Sequence, residues 1–537
     1  MRGLMMDMPL NVSALLEHAA KYHADTEIVS RTVEGPLHRY GYADAALRAR
    51  RLANALKRLG LAAGDVVGTV AWNGYRHFEL YYAISGSGMV CHTINPRLFA
   101  EQIVYIINHA GDRVLFVDLT FVPLIEKLAD RIAGVKAVVV MTDAAHMPQT
   151  TLANVFCYET LVAAESEEFA WPSLDENTAS SLCYSSGTTG NPRGVLYSHR
   201  STVLHSYAVS LIDVFGLSAR EVVLPVVPMF HVNAWGLPYA APLTGAKLVM
   251  PGPNLDGASL QALIESEEVT FTAGVPTVWM GLLAHLQQTG KGLGRLDRVV
   301  IGGSACPPAM IASLRERYNV KVVHAWGMTE ISPLGTANHP KRKAAALPPA
   351  ERDALAAKQG RPVFGIDMKI VDGAGRSLPW DGAAFGSLKV RGPWVCAKYF
   401  NSDETSAHRD PGWFETGDVA TIDADGNIQI VDRVKDVIKS GGEWISSIEL
   451  ENVAVAHPAV REAAVIARPD PKWGERPRLV VALKKDQTAT KEELREFYQG
   501  KVASWCVPDD VVIVDELPHT ATGKLLKSEL RRLYGGP

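Results

Sequence analysis

Apolar and polar positions follow two rhythms along this chain, and the switches between them lay out its elements. Residues 42–59 (YADAALRARRLANALKRL) repeat apolar positions at helical spacing, with Gly60 placed to stop the helix. A strand is predicted over 66–72, a helix over 100–110 and a strand over 114–117. Further short apolar runs, each closed by a nearby Gly or Pro, fall at 247–250, 269–273, 298–301 and 321–325. Strands alternating with helices predict α/β layering on largely parallel sheets. The texture then changes. Residues 385–392 and 418–431 read as antiparallel, with Asp423-Ala424-Asp425-Gly426 turning between two strands. From Asp436 onward there remain about 100 residues, the size of an independent α+β domain. The pattern therefore predicts one large and one small body joined near 432–436. Residues 341–358, rich in Ala and Lys, read as an exposed helix or loop without chemistry, and no repeat of fixed period is found.

Composition narrows the function. The chain has 537 residues, 47% hydrophobic and 21% charged, which excludes disorder, collagen-like repeats and a coiled-coil rod. With 54 Lys+Arg against 58 Asp+Glu the net charge is −4, and no basic run is long enough for a nucleic-acid footprint, so a small-molecule substrate is expected. Cys91, Cys157, Cys183, Cys306, Cys396 and Cys506 are scattered, without a Cys-x-x-Cys pair or zinc spacing, and are expected to be buried reduced thiols. The first ten residues lack the apolar stretch of a signal peptide. No apolar run approaches the roughly 20 residues that span a bilayer. The expectation is a soluble, cytoplasmic protein.

The most informative segment is Tyr184 to Val195, Y-S-S-G-T-T-G-N-P-R-G-V, directly after an apolar strand-like run. Its glycines let backbone N–H groups curl around an anion, its hydroxyls add donors and Arg193 adds charge, which together suit a polyphosphate. The same composition also makes plain turns and linkers. A Walker A loop is absent, which disfavours a P-loop kinase or ATPase.

Later segments follow in a definite order: Trp326-Gly327-Met328-Thr329-Glu330, Gly412-Trp413-Phe414-Glu415-Thr416-Gly417-Asp418, Asp432-Arg433-Val434-Lys435-Asp436 and Thr522-Gly523-Lys524. With the 184–195 segment they resemble the adenylate-forming superfamily of acyl-CoA synthetases, luciferases and adenylation domains over nearly the whole chain. The stretches 225–235 and 439–446 are similar to bacterial medium- and long-chain fatty-acid–CoA ligases, a branch that includes 3-methylmercaptopropionate–CoA ligases. The resemblance implies a large N-terminal domain (1–431) of parallel α/β sheets plus a small β subdomain, a hinge (432–435) and a small mobile α+β C-terminal domain (436–537). It also implies two steps. A carboxylate and ATP give acyl-AMP and pyrophosphate; coenzyme A then displaces AMP.

Residue roles carry over with it. Lys524, Glu330 and His231 are implied as catalytic, Lys524 neutralising charge between acid and phosphate. Ser185, Ser186, Gly187, Thr188, Thr189, Gly190 and Arg193 are implied to hold the phosphates, with Ser185 and Glu330 at Mg2+. Gly303, Ser304, Ala305, His324, Ala325 and Trp326 are implied around the nucleotide base, and Thr329 also at the nucleotide. Asp418 and Arg433 are implied at the ribose, and Lys435 and Lys439 also at the nucleotide. Val232, Trp235, Gly327 and Met328 are implied in the acyl pocket, with Trp235 as its gate. Gly441, Gly442 and Trp444 are implied on the CoA side. Taken singly, Trp235 also reads as plain core, Lys524 as a solvent-exposed residue opening a basic helix, and Arg433 as a surface ion-pair member. One position departs from the family pattern: Arg193 stands where the phosphate loop has Lys, and the planar guanidinium is not an equivalent of an ammonium.

The reading is an ATP-dependent fatty-acid–CoA ligase of medium-chain preference, expected as a homodimer. The alternatives are a 3-methylmercaptopropionate–CoA ligase and, from another class, a non-catalytic acyl- or adenylyl-binding protein on this fold. Transfer to a carrier-protein thiol is disfavoured by the lack of an appended carrier-like domain.

Overall fold

Two large sheets form the body of the chain, and two smaller ones follow. The computed structural model describes residues 1, 3–185, 191–441, 443–519 and 525–536. The first sheet has seven strands, in the order Val155–Cys157, Ala137–Val140, Val114–Val117, Val66–Val70, Val90–Thr93, Ala179–Tyr184 and Gly194–Ser198. All its pairings are parallel except the last. The second has nine, parallel from Lys321–Gly327 through Arg298–Ile301, Phe271–Gly274, Val222–Pro225 and Lys247–Met250 to Glu27–Arg31, with antiparallel strands at both edges. Central strands are buried on both faces, as in Val114–Val117 and Phe271–Gly274, which is why they read as short unbroken apolar runs.

The helix Tyr42–Arg58 follows its sequence pattern closely. Ala45, Ala49, Leu52 and Leu56 recur at helical spacing on its buried face, and Tyr42 donates its hydroxyl to Ala246 O at 2.6 Å. Truncating Leu52, fully buried there, would cost about 2–5 kcal/mol.

A four-stranded antiparallel sheet follows, Asp367–Val371, Phe385–Arg391, Phe414–Ile422 and Ile428–Arg433. The expected turn joins the last two: Asp423 Oδ1 accepts from the backbone N–H of Asp425 and of Asn427 at 3.0 and 2.9 Å. A five-stranded sheet from residue 438 onward has a core of its own around Leu450, Val465, Leu479 and Tyr498. The architecture is thus a multi-part α/β body with a small C-terminal α+β unit.

Several boundaries differ from the sequence reading. The strand expected to reach Trp72 ends at Val70, because the Trp72 N–H turns away to Asp118 Oδ2 at 2.7 Å. The 269–273 strand is Phe271–Gly274, and the 321–325 strand continues to Gly327. Asp432 and Arg433, expected in the link, end the strand Ile428–Arg433. All six cysteines are free, but Cys157, Cys396 and Cys506 are only half-buried. Residues 341–358 hold a short 3₁₀ turn and the helix Pro349–Ala357, largely exposed. No helix among the described residues is long and apolar enough to cross a membrane.

Candidate active site

The register between Phe414–Ile422 and Ile428–Arg433 sets Asp418 opposite Arg433. Arg433 Nε lies 2.7 Å from Asp418 Oδ1, and Trp326 donates its indole N–H to Asp418 Oδ2 at 3.0 Å. Asp418 is 3% exposed. Each of its oxygens has one donor and keeps capacity for another, which suits a pair of vicinal hydroxyls.

The strand that delivers Trp326 runs into the 3₁₀ turn Thr329–Ile331, which carries Glu330. The backbone there is fixed from two sides: Tyr197 donates to Thr329 O at 2.6 Å and the Cys396 N–H to Glu330 O at 2.8 Å. Tyr399 donates its hydroxyl to Glu330 Oε1 at 2.9 Å. Burial pushes the Glu330 carboxyl above its usual range, opposed by the Tyr399 bond and the charges of Arg433 and Arg193.

Trp326, Glu330, Tyr399 and Arg433 open onto one cleft of about 650 Å³, of which Asp418 is not a lining residue. Ser185, Arg193, Gly303, Ala325, Trp326, Thr329, Glu330 and Arg433 line its polar part. His231, Val232, Trp235, Gly327 and Met328 line it as well, alongside the unforeseen apolar side chains of Phe230, Leu255, Val275 and Val278. Lys435 stands on the wall, and Leu525, Leu526 and Lys527 enter from the C-terminal unit.

Trp235 belongs to an unusual turn. Val232, Asn233, Ala234, Trp235 and Gly236 have φ of 48°, 49°, 49°, 56° and 79°. A left-handed run of L-residues costs roughly 1–2 kcal/mol per residue. The surroundings hold it, with Asn233 donating to Ser181 Oγ at 3.0 Å. Gly302 gives the indole room, since a Cβ there would stand 3.2 Å from the Trp235 ring and 2.9 Å from Ala325 O.

Other expected residues lie off the cleft. His324 is 1% exposed within its strand, its Nδ1 2.9 Å from Ala357 O and its pKa pushed down to about 4 by burial. Ser304 and Ala305 follow Gly303 without being cleft-lining residues. Lys439 and Trp444 pair across the hairpin Ile438–Ser440/Glu443–Ile445, away from the cleft, and Trp444 packs on Phe385 with ring centroids 5.5 Å apart. Gly441 has φ +61°, and Trp473 would crowd a Cβ there at 2.8 Å. Ser186, Gly187, Thr188, Thr189, Gly190, Gly442 and Lys524 lie outside the described residues.

Sequence reading missed the residues that hold Glu330 and Arg193. Arg193 pairs with Glu404 at 2.6 Å and sits 5.1 Å from the Tyr399 ring centroid, a stack that the planar guanidinium suits. Nothing in Lys398-Tyr399-Phe400 distinguishes a tyrosine that holds a carboxylate from one that merely packs.

Among the described residues no group of three His, Cys, Asp or Glu side chains could hold a metal unaided. A hard cation such as Mg2+ binds through one or two carboxylates plus phosphate oxygens. The buried Glu330 carboxylate, which lines the same cleft as Arg193 and Ser185, fits that mode.

Comparison with known proteins gives the family. The AMP-binding enzyme family matches residues 16–400, and the AMP-binding enzyme C-terminal domain matches residues 449–524. The chain is 56% identical over 531 residues to the 3-methylmercaptopropionyl-CoA ligase of Ruegeria lacuscaerulensis, covering 99% of this chain and 98% of that protein. It is 52% identical over 535 residues to the medium-chain-fatty-acid–CoA ligase of Ectopseudomonas oleovorans, covering 100% and 98%. The solved anthranilate CoA ligase AuaEII in complex with anthranoyl-AMP superposes with a TM-score of 0.87 at 25% identity, covering 99% of each chain. The chain belongs to the AMP-binding enzyme family, within its group of AMP-forming acid–thiol ligases.

Proposed function

We propose that the enzyme activates an apolar, medium-chain carboxylic acid with ATP and passes the acyl group to coenzyme A. One observation carries the reading: a single cleft joins Glu330 and Arg433, the latter paired with the buried Asp418, to an apolar wall of Val232, Trp235, Leu255 and Val278. A carboxylate oxygen attacks the α-phosphorus and pyrophosphate leaves. The CoA thiol, losing its proton, then attacks the acyl carbonyl and AMP leaves.

In the first step two anions must meet, so positioning and charge neutralisation dominate. Asp418 and Arg433 receive the ribose hydroxyls, while Arg193 and Ser185 face the phosphates. Lys524 bridges acid and phosphate, and His231 stands at the acid's carboxyl end. A magnesium ion held by Glu330, when bound, would neutralise phosphate charge. Residues 1–431 bind nucleotide and acid, and residues 436–537 swing on 432–435. In the second orientation Lys439, Gly441, Gly442 and Trp444 reach the nucleotide and CoA side. We place the enzyme in the cytoplasm as a homodimer.

A second acid is favoured by a specific likeness, the 56% identity to a 3-methylmercaptopropionyl-CoA ligase. Steady-state AMP release with ATP and CoA, across straight-chain acids from short to long and 3-methylmercaptopropionate, separates the two by kcat/KM. Lys524→Ala should abolish acyl-AMP formation yet largely spare the reaction of preformed acyl-AMP with CoA. Equal loss in both steps would remove Lys524 from this role.

A further inference from the structure

The segment that bears Lys524 is anchored on both sides by described residues. His519 and Leu525 form an antiparallel bridge, and the Leu526 N–H donates to Pro518 O at 2.8 Å. Lys527 follows directly and opens the helix Lys527–Tyr534. Its side chain, 12% exposed, is 2.6 Å from Glu451 Oε1 and also donates to Ser447 Oγ. Ser447 in turn donates both its hydroxyl and its backbone N–H to Asp432 Oδ2, at 2.6 and 2.7 Å. Asp432 is 1% exposed and Ser447 fully buried. The same Glu451 oxygen also accepts from the Val465 N–H at 2.7 Å.

This network spans the link. Asp432 lies before Lys435, and Ser447, Glu451 and Lys527 lie after it. Hydrogen bonds to buried charges are worth more than neutral ones, and cutting one leaves a desolvated group unpaired. The orientation seen here therefore has a buried polar lock, and any rotation about 433–435 must break it.

We propose that Lys527 is a positioning residue for adenylation, locking the C-terminal unit to Asp432 through Ser447 in the orientation that brings Leu525 and Leu526 to the cleft. This rests on the two-step reading above. The Lys527 ammonium is committed to Glu451 and Ser447, and it acts through the orientation that they hold.

Two variants test it. Lys527→Met removes the charge, and Ser447→Ala removes the hydroxyl that joins Lys527 to Asp432 while leaving the Lys527–Glu451 pair and the backbone N–H on Asp432. Single-turnover acyl-AMP formation should slow at least about tenfold in Lys527→Met and about threefold in Ser447→Ala. Thioester formation from preformed acyl-AMP should stay at the wild-type rate or rise, and Lys527→Arg should restore much of the first step. Limited trypsin digestion at Arg433 and Lys435 gives a readout independent of activity, with faster cleavage expected in both variants. Unchanged cleavage, or equal slowing of both steps, overturns the proposal. A wild-type protein that makes no acyl-AMP would instead defeat the functional reading, while the cleavage comparison still decides whether the lock exists.

Discussion

Tyr399 donates its hydroxyl to Glu330 Oε1 at 2.9 Å from a loop 69 residues further along the chain. That bond favours the ionised carboxylate, whereas burial disfavours it and keeps the pKa above its usual value. If adenylation needs the carboxylate, its rate falls as pH drops through this raised pKa. Tyr399→Phe removes a stabiliser of the ionised form and raises the pKa further. The acidic limb of the pH–rate profile should move to higher pH, with about a threefold or greater loss on that limb and a smaller loss as pH rises above it. A uniform loss at every pH would mean that Tyr399 only packs.

Trp326→Phe keeps the ring and deletes the N–H that reaches Asp418 Oδ2. Hydrogen bonds to charged groups contribute about 1.5–3 kcal/mol. The KM for ATP should therefore rise by about tenfold or more, with the KM for the acid nearly unchanged. Initial-rate kinetics with each substrate varied in turn check this.

Lys435→Pro tests the pivot. Proline locks φ near −65°, whereas a hinge must change φ/ψ. Acyl-AMP formation should remain measurable while thioester formation slows by at least about tenfold, or about 1.4 kcal/mol. Parallel loss in both single-turnover assays, or no loss in either, would move the pivot elsewhere.

Asp118 is buried behind Trp72, and burial pushes its carboxyl up to about 7 from 3.8, against the Trp72 N–H and the charge of Arg76. Because the folded pKa is raised, its contribution to stability is fully present below the unfolded value and is lost as pH rises through about 7. Between about pH 5.5 and pH 8 that loss is on the order of 2 kcal/mol. Asp118→Asn should therefore raise Tm relative to wild type more at pH 8 than at pH 5.5. A Tm difference independent of pH would show that the carboxyl does not titrate there.

The sequence by itself determined the elements whose signal is local, and it singled out the contiguous blocks that carry the family resemblance. The helix Tyr42–Arg58, the strand Val114–Val117 and the Asp423 turn were legible because helical spacing, apolar runs and turn residues act over a few positions. Trp326, Glu330, Asp418 and Arg433 were legible because each lies in a distinctive block. Only the tertiary structure decided how the blocks meet. The insertion of Glu27–Arg31 beside Lys247–Met250 depends on pairing across the whole body, which no local window contains. Tyr399, Glu404 and Lys527 matter through partners 69, 211 and 80 positions away, and the types Tyr, Glu and Lys carry no mark of such pairing. The same holds for the left-handed turn at Trp235. Its residues do not favour positive φ, and it persists because the buried groups packed around it, Ser181 among them, outweigh the local cost.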